Sequence, residues 1–149
     1  MLNYGLVGLG NLGEKIARNL LKKNFTVKVY DKDQEKVNKL TKIGAISSLS
    51  TADAAEDVDG LITCLPSPKI STEVMTGEKG AIQKMKPGST WIETSTTDIK
   101  DLQLVSKIAV KQNIKTIEAP VTGGVHKAEK GIITVLVGAE KKNFLEHEE

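Results

Sequence analysis

Aromatic residues are nearly missing: Phe, Trp and Tyr together make up 3% of the 149 residues. Base stacking on aromatic platforms is therefore a poor fit as a mode of action. Cysteine occurs once, at Cys64, which excludes an intrachain disulfide and a multi-cysteine metal site. Cys64 lies in the apolar run Leu61-Ile62-Thr63-Cys64-Leu65 and reads as a buried core thiol. No apolar stretch approaches the roughly 20 residues that span a bilayer. Charge of neither sign dominates, since 21 Lys and Arg against 19 Asp and Glu leave a net charge of +2. The lysines are spread along the chain and solvate helix faces, so neither nucleic acid nor a membrane is an expected partner. The first strand begins almost at the N-terminus, which leaves no room for a signal peptide and makes a cytoplasmic location the expectation.

What is present begins at once. The apolar run Leu2 to Val7 leads into Gly8-Leu9-Gly10-Asn11-Leu12-Gly13. A helical pattern follows, with Ile16, Ala17, Leu20 and Leu21 on one face. A second β-rich run ends at Tyr30 and is followed by Asp31. Strand, glycine turn, helix, strand and acid together form the dinucleotide-binding fingerprint. Gly8 allows the tight turn, Gly10 leaves room for a pyrophosphate, and Gly13 lets the helix pack against the strand. The free N–H groups of the helix start, aided by its dipole, face the phosphates. A carboxylate at Asp31 can accept hydrogen bonds from ribose hydroxyls and repel a 2′-phosphate, which favours NAD over NADP. Lys32 beside it softens that preference. The alternative for Asp31 is an N-cap, a role for which Asp33 is at least as well placed. A βαβ turn that merely needs glycines, and a methyltransferase, are the competing readings of the whole stretch.

The remaining pattern alternates short apolar runs with amphipathic ones, as a parallel sheet covered on both faces requires. Strands are expected at 45–47, 61–65, 89–93, 115–118 and 131–138. Helices are expected at 33–42, from Ser50 or Thr51 to Glu56, at 70–75, at 81–85 and at 99–112. The tail from Lys141 begins like one more. In a doubly wound fold the loops at the carboxyl ends of the strands bind ligands. Those loops carry Leu65-Pro66, the hydroxyl run Thr94-Ser95-Thr96-Thr97, and Thr122-Gly123-Gly124. The hydroxyl run can bond a nicotinamide or a polar substrate, or cap the next helix through Thr97 or Asp98. Thr122-Gly123-Gly124 can present backbone N–H groups to an anion, or can simply turn the chain. The chain is expected to be one domain, residues 1–149, of Rossmann-type α/β fold.

Three stretches resemble the β-hydroxyacid dehydrogenase family, which includes 3-hydroxyisobutyrate dehydrogenase and is related to 6-phosphogluconate dehydrogenase. They are GLGNLGEKIARNLLKKNFTVKVYDKD, IETSTTD and EAPVTGGVHKAEKGIITVLVGAE. The resemblance implies an NAD(P)-binding domain of an oxidoreductase that moves hydride between a nicotinamide cofactor and a small β-hydroxy acid. It assigns cofactor contacts to Gly8, Leu9, Gly10, Asn11, Leu12, Gly13, Asp31, Lys32, Leu65, Pro66, Ser95 and Thr96. It assigns the substrate carboxylate to Thr122, Gly123 and Gly124. Glu93 and Glu118 stand where the family usually has aspartates. His126-Lys127 add bulk where it often has glycine, and His126 is expected to be only a loop residue. The family's catalytic lysine lies in an all-helical second domain beyond the last residue here, so no catalytic residue is assigned in this chain. Such a chain is expected to bind cofactor with little or no turnover, and exposed apolar surface predicts self-association. A freestanding NAD-binding sensor domain is the alternative function.

Overall fold

The structure, a computed structural model, describes residues 2–148. Six strands form its central sheet: β1 (Asn3–Val7), β2 (Thr26–Tyr30), β3 (Ile46–Ser47), β4 (Gly60–Thr63), β5 (Thr90–Glu93) and β6 (Lys115–Glu118). All are parallel, in the order β3-β2-β1-β4-β5-β6. This is the Rossmann order, and its direction reverses between β1 and β4, where a crevice must open at the carboxyl ends.

Alternation along the strands feeds two cores. Leu6 and Ile62 join Ala17 of α1 (Asn11–Lys22) and Val37 and Leu40 of α2 (Gln34–Thr41) on one face. Val7, Leu61 and Trp91 face the other way. There they meet Ala54 of α3 (Thr51–Ala55), Met75 of α4 (Pro68–Thr76), and Val105 and Ala109 of α5 (Ile99–Lys111). Four helices start on a side-chain cap that satisfies an orphan N–H. Asp33 accepts from Glu35 N, Ser50 from Asp53 N, Ser67 from Ile70 N and Asp98 from Lys100 N. Asp33 therefore takes the capping role that was the alternative for Asp31. The helix α1 differs: its N-cap is Gly10, with no side-chain cap.

Three expectations need correction. The fourth strand ends at Thr63, not Leu65, because the Leu65 N–H donates to the Ser95 hydroxyl at 2.8 Å instead of a strand neighbour. The apolar run 131–138 is not a strand of the central sheet. Its β8 (Thr134–Val135) pairs antiparallel with β7 (Val121–Thr122), and Glu118 exchanges backbone hydrogen bonds with Gly138. The intervening α6 (Gly124–Glu129) packs on α1, where Asn19 Nδ2 donates to the Ala128 carbonyl at 2.6 Å. His126 thus lies on a short helix rather than in a loop, and it is exposed. Ile132, Val135, Leu136 and Val137 remain exposed, so the apolar composition that signalled a buried strand marks a surface instead. No helix among the described residues is long and apolar enough to cross a membrane.

After α7 (Lys141–Leu145) the tail returns to the amino ends of the strands. His147 bridges the Tyr4 hydroxyl (3.0 Å, Nδ1) and Thr90 Oγ1 (2.9 Å, Nε2). Burial holds its imidazole below the usual histidine range. Lys115 acts in the same direction, and Glu146 and Asp59 oppose it. A folded pKa below the unfolded one gives stability that is complete above the ordinary histidine value and is lost as pH falls through the folded one. Thermal melts should therefore show an acid-side loss that begins as pH falls below the ordinary histidine value and is smaller in His147→Gln. Equal losses in the two proteins would remove His147 from the explanation.

Candidate functional site

A cleft of about 910 Å³ opens where the sheet order reverses. The glycine turn supplies Gly8, Gly10, Asn11 and Leu12 to its wall, and the end of β2 supplies Tyr30, Asp31 and Lys32. Leu65 and Pro66 follow β4, and Thr94, Ser95 and Thr96 follow β5.

The three glycines do different physical work. Gly8 has φ +95°, and a Cβ there would sit 2.2 Å from the Cys64 carbonyl oxygen. A Cβ on Gly13 would sit 1.9 Å from the Gly8 carbonyl oxygen. Both positions let β1, α1 and the loop after β4 touch backbone to backbone. Gly10 has nothing within 4 Å of where its Cβ would be. Its bareness is not demanded by the fold. It leaves the uncapped start of α1 open to the cleft, which suits an anionic group such as a pyrophosphate. The residues present thus fit a dinucleotide.

Asp31 is built into the turn. Its Oδ2 accepts from Leu9 N at 2.6 Å, and its Oδ1 accepts from Asp33 N at 2.9 Å. Each carboxylate oxygen has a second lone pair, so ribose hydroxyls can still be accepted. Leu9 itself points into the core and is 1% exposed. It and Gly13 support the cleft from behind and are absent from its lining.

The hydroxyl run divides by role. The Thr94 hydroxyl donates to the Thr63 carbonyl at 2.8 Å and is buried. The Ser95 hydroxyl is committed to Leu65 N, and Ser95 N donates to Glu93 Oε1 at 2.8 Å. Thr96 is exposed at the cleft. Cys64 was expected in the core, but it is only half-buried and lines the cleft just past the end of β4. Burial still pushes its thiol up, and the nearby Glu93 acts in the same direction. Thr122, Gly123 and Gly124 do not line the cleft; their neighbour Val121 does. Thr122 pairs with Thr134, and the two glycines turn at φ +117° and +76°.

Several lining residues were not anticipated. Lys36 stands in the first turn of α2, with Nζ 3.8 Å from Asp33 Oδ2. That position was findable, since the first turn after the acid faces the same crevice. Ile70, Glu73 and Val74 of α4, and Gly77, Glu78 and Lys79 beyond it, carry no motif that would have marked them.

Comparison with known proteins agrees with this geometry. The family described as the NAD binding domain of 6-phosphogluconate dehydrogenase matches residues 3–149. The rat mitochondrial 3-hydroxyisobutyrate dehydrogenase is 36% identical over 140 residues, 94% of this chain and 42% of that one. The 2-(hydroxymethyl)glutarate dehydrogenase of Eubacterium barkeri is 32% identical over 143 residues, 96% of this chain and 48% of its own length. A crystal structure of 3-hydroxyisobutyrate dehydrogenase from Salmonella typhimurium superimposes with a TM-score of 0.93 at 28% identity. It is matched over 99% of this chain and 52% of that one. The chain belongs to this family and is an NAD(P)-binding domain of the β-hydroxyacid dehydrogenases. It spans about half the length of the curated relatives it matches.

Proposed function

We propose that this domain holds NAD in preference to NADP, as the cofactor half of an enzyme that moves hydride to and from a small β-hydroxy acid. Asp31 at the rim of the cleft, beside the glycine turn, carries the cofactor preference. Its charge opposes a 2′-phosphate, while Lys32 and Lys36 at the same rim moderate the discrimination. Gly8, Gly10, Asn11 and Leu12 surround the pyrophosphate. Leu65, Pro66, Ser95 and Thr96 border the nicotinamide. Thr122, Gly123 and Gly124, just beyond Val121, face the substrate carboxylate. No lysine in this chain matches the family's proton acceptor, which supports a cofactor-holding role. A positioned general base contributes about 10²–10⁴-fold, so the chain alone should bind cofactor with little turnover.

Asp31→Ala tests the cofactor reading. It removes the Leu9 N–H acceptor as well as the charge, so affinity for both cofactors falls. The informative quantity is the ratio. NAD affinity should drop about tenfold more than NADP affinity, the scale of one charged hydrogen-bond partner lost. Calorimetric titration measures both. Equal losses would leave Asp31 as a brace of the turn and nothing more.

A further inference from the structure

Glu93, at the end of β5, is wholly buried, 0% exposed, and has no part in the function proposed above. It forks. Oε2 is hydrogen-bonded to the Ser71 hydroxyl on α4, and Oε1 accepts from Ser95 N at 2.8 Å. Ser95 in turn accepts from Leu65 N at 2.8 Å. One carboxyl group therefore joins α4, the loop after β4 and the loop after β5. Ser95 and Leu65 both line the cleft; Glu93 does not reach it.

The place of these loops decides what the fork controls. Asp31 and Lys32 border the cleft on the β2 side of the glycine turn. A dinucleotide with its pyrophosphate on α1 puts its other nucleoside on the β4–β5 side. We infer that Glu93 is a positioning residue for the nicotinamide half of the cleft, holding the Leu65 and Ser95 loops in register through Ser95 N and Ser71. This rests on the cofactor reading. A buried carboxyl is a costly way to tie segments together unless each oxygen is used, and here each serves a different element.

Two ligands separate the halves of the site. ADP-ribose lacks the nicotinamide, whereas NADH carries it. Glu93→Ala should weaken NADH by on the order of tenfold, the scale of a buried hydrogen-bond partner removed, and leave ADP-ribose within about twofold. Glu93→Gln keeps an acceptor for Ser95 N, and its amide can donate to the Ser71 hydroxyl that otherwise donates to Glu93, so it should restore most of the loss. Ser71→Ala, which frees one arm of the fork, should give a smaller loss in NADH alone. It reads the same point if Glu93→Ala does not fold. Burial pushes the Glu93 carboxyl up, with the half-buried Cys64 thiol as its titratable neighbour. NADH affinity should accordingly vary with pH above the ordinary glutamate range in the wild type and flatten in Glu93→Gln. Equal loss of both ligands, or no loss of NADH, would overturn the positioning role while leaving the cofactor reading intact. Failure of the wild type to bind either ligand would overturn the cofactor reading and this inference with it.

Discussion

Gly13→Ala is expected to lose at least about 3 kcal/mol of stability, the upper range for overpacking a site that cannot relax. The obstacle is backbone: the added Cβ would lie 1.9 Å from the Gly8 carbonyl oxygen. Neither atom can rotate away as a side chain would. Relief requires α1 to move off the glycine turn. That movement would pull Ala17 from its wholly buried place against Leu6 and Val29. For a domain of this size the loss corresponds to a Tm lower by roughly 6–12 °C. Urea unfolding and calorimetry would measure it. A Tm within about 2 °C of the wild type would show that α1 sits more loosely on β1 than the contact requires.

The same contact shows what sequence reading can reach. Gly8 and Gly13 were legible because their spacing belongs to a recurring turn whose geometry is known in advance. Gly5 was not, although its demand is as strict: a Cβ there would meet the Ala54 carbonyl oxygen at 2.1 Å. It sits inside an apolar strand, where composition alone does not reveal the backbone of α3 crossing close by. Strands β1, β2 and β4 were legible as short apolar or β-branched runs between turn signals, whereas β6, Lys-Thr-Ile-Glu, holds one apolar residue and was legible only from its place in the alternation of strand and helix. The 131–138 run is apolar too yet stands at the surface, since periodicity reports a residue's own polarity and not what covers it. Asp31 was legible as an acid at the end of β2, where it lines the cleft. Its hydrogen bond to Leu9 N was not, because it depends on how closely the turn after β1 approaches the end of β2. Glu93 could be aligned with a family acid, but its fork to Ser71 and Ser95 needed the packing of α4. Motifs reveal groups that face a ligand. Groups that hold those groups become visible only when the elements are packed.

Gly10→Ala should behave in the opposite way to Gly13→Ala, although both residues belong to one motif. No atom lies within 4 Å of the added methyl, and φ −65°, ψ −171° at this N-cap suits any residue. Stability should stay within about 1 kcal/mol of the wild type, the scale of a changed N-cap. Binding should not survive as well. The methyl would stand in the cleft at the start of α1, where the phosphates must come close to backbone N–H groups. Holding the pyrophosphate off by one methyl group should weaken NADH by on the order of tenfold to a hundredfold. ADP-ribose should weaken equally, because it carries the same pyrophosphate. That equality distinguishes this position from Glu93, where the two ligands should part. A stable Gly10→Ala with unchanged affinity for both ligands would mean that the phosphates do not lie at the start of α1. The glycine turn would then be a packing device alone, and the placement of the pyrophosphate against it would fall.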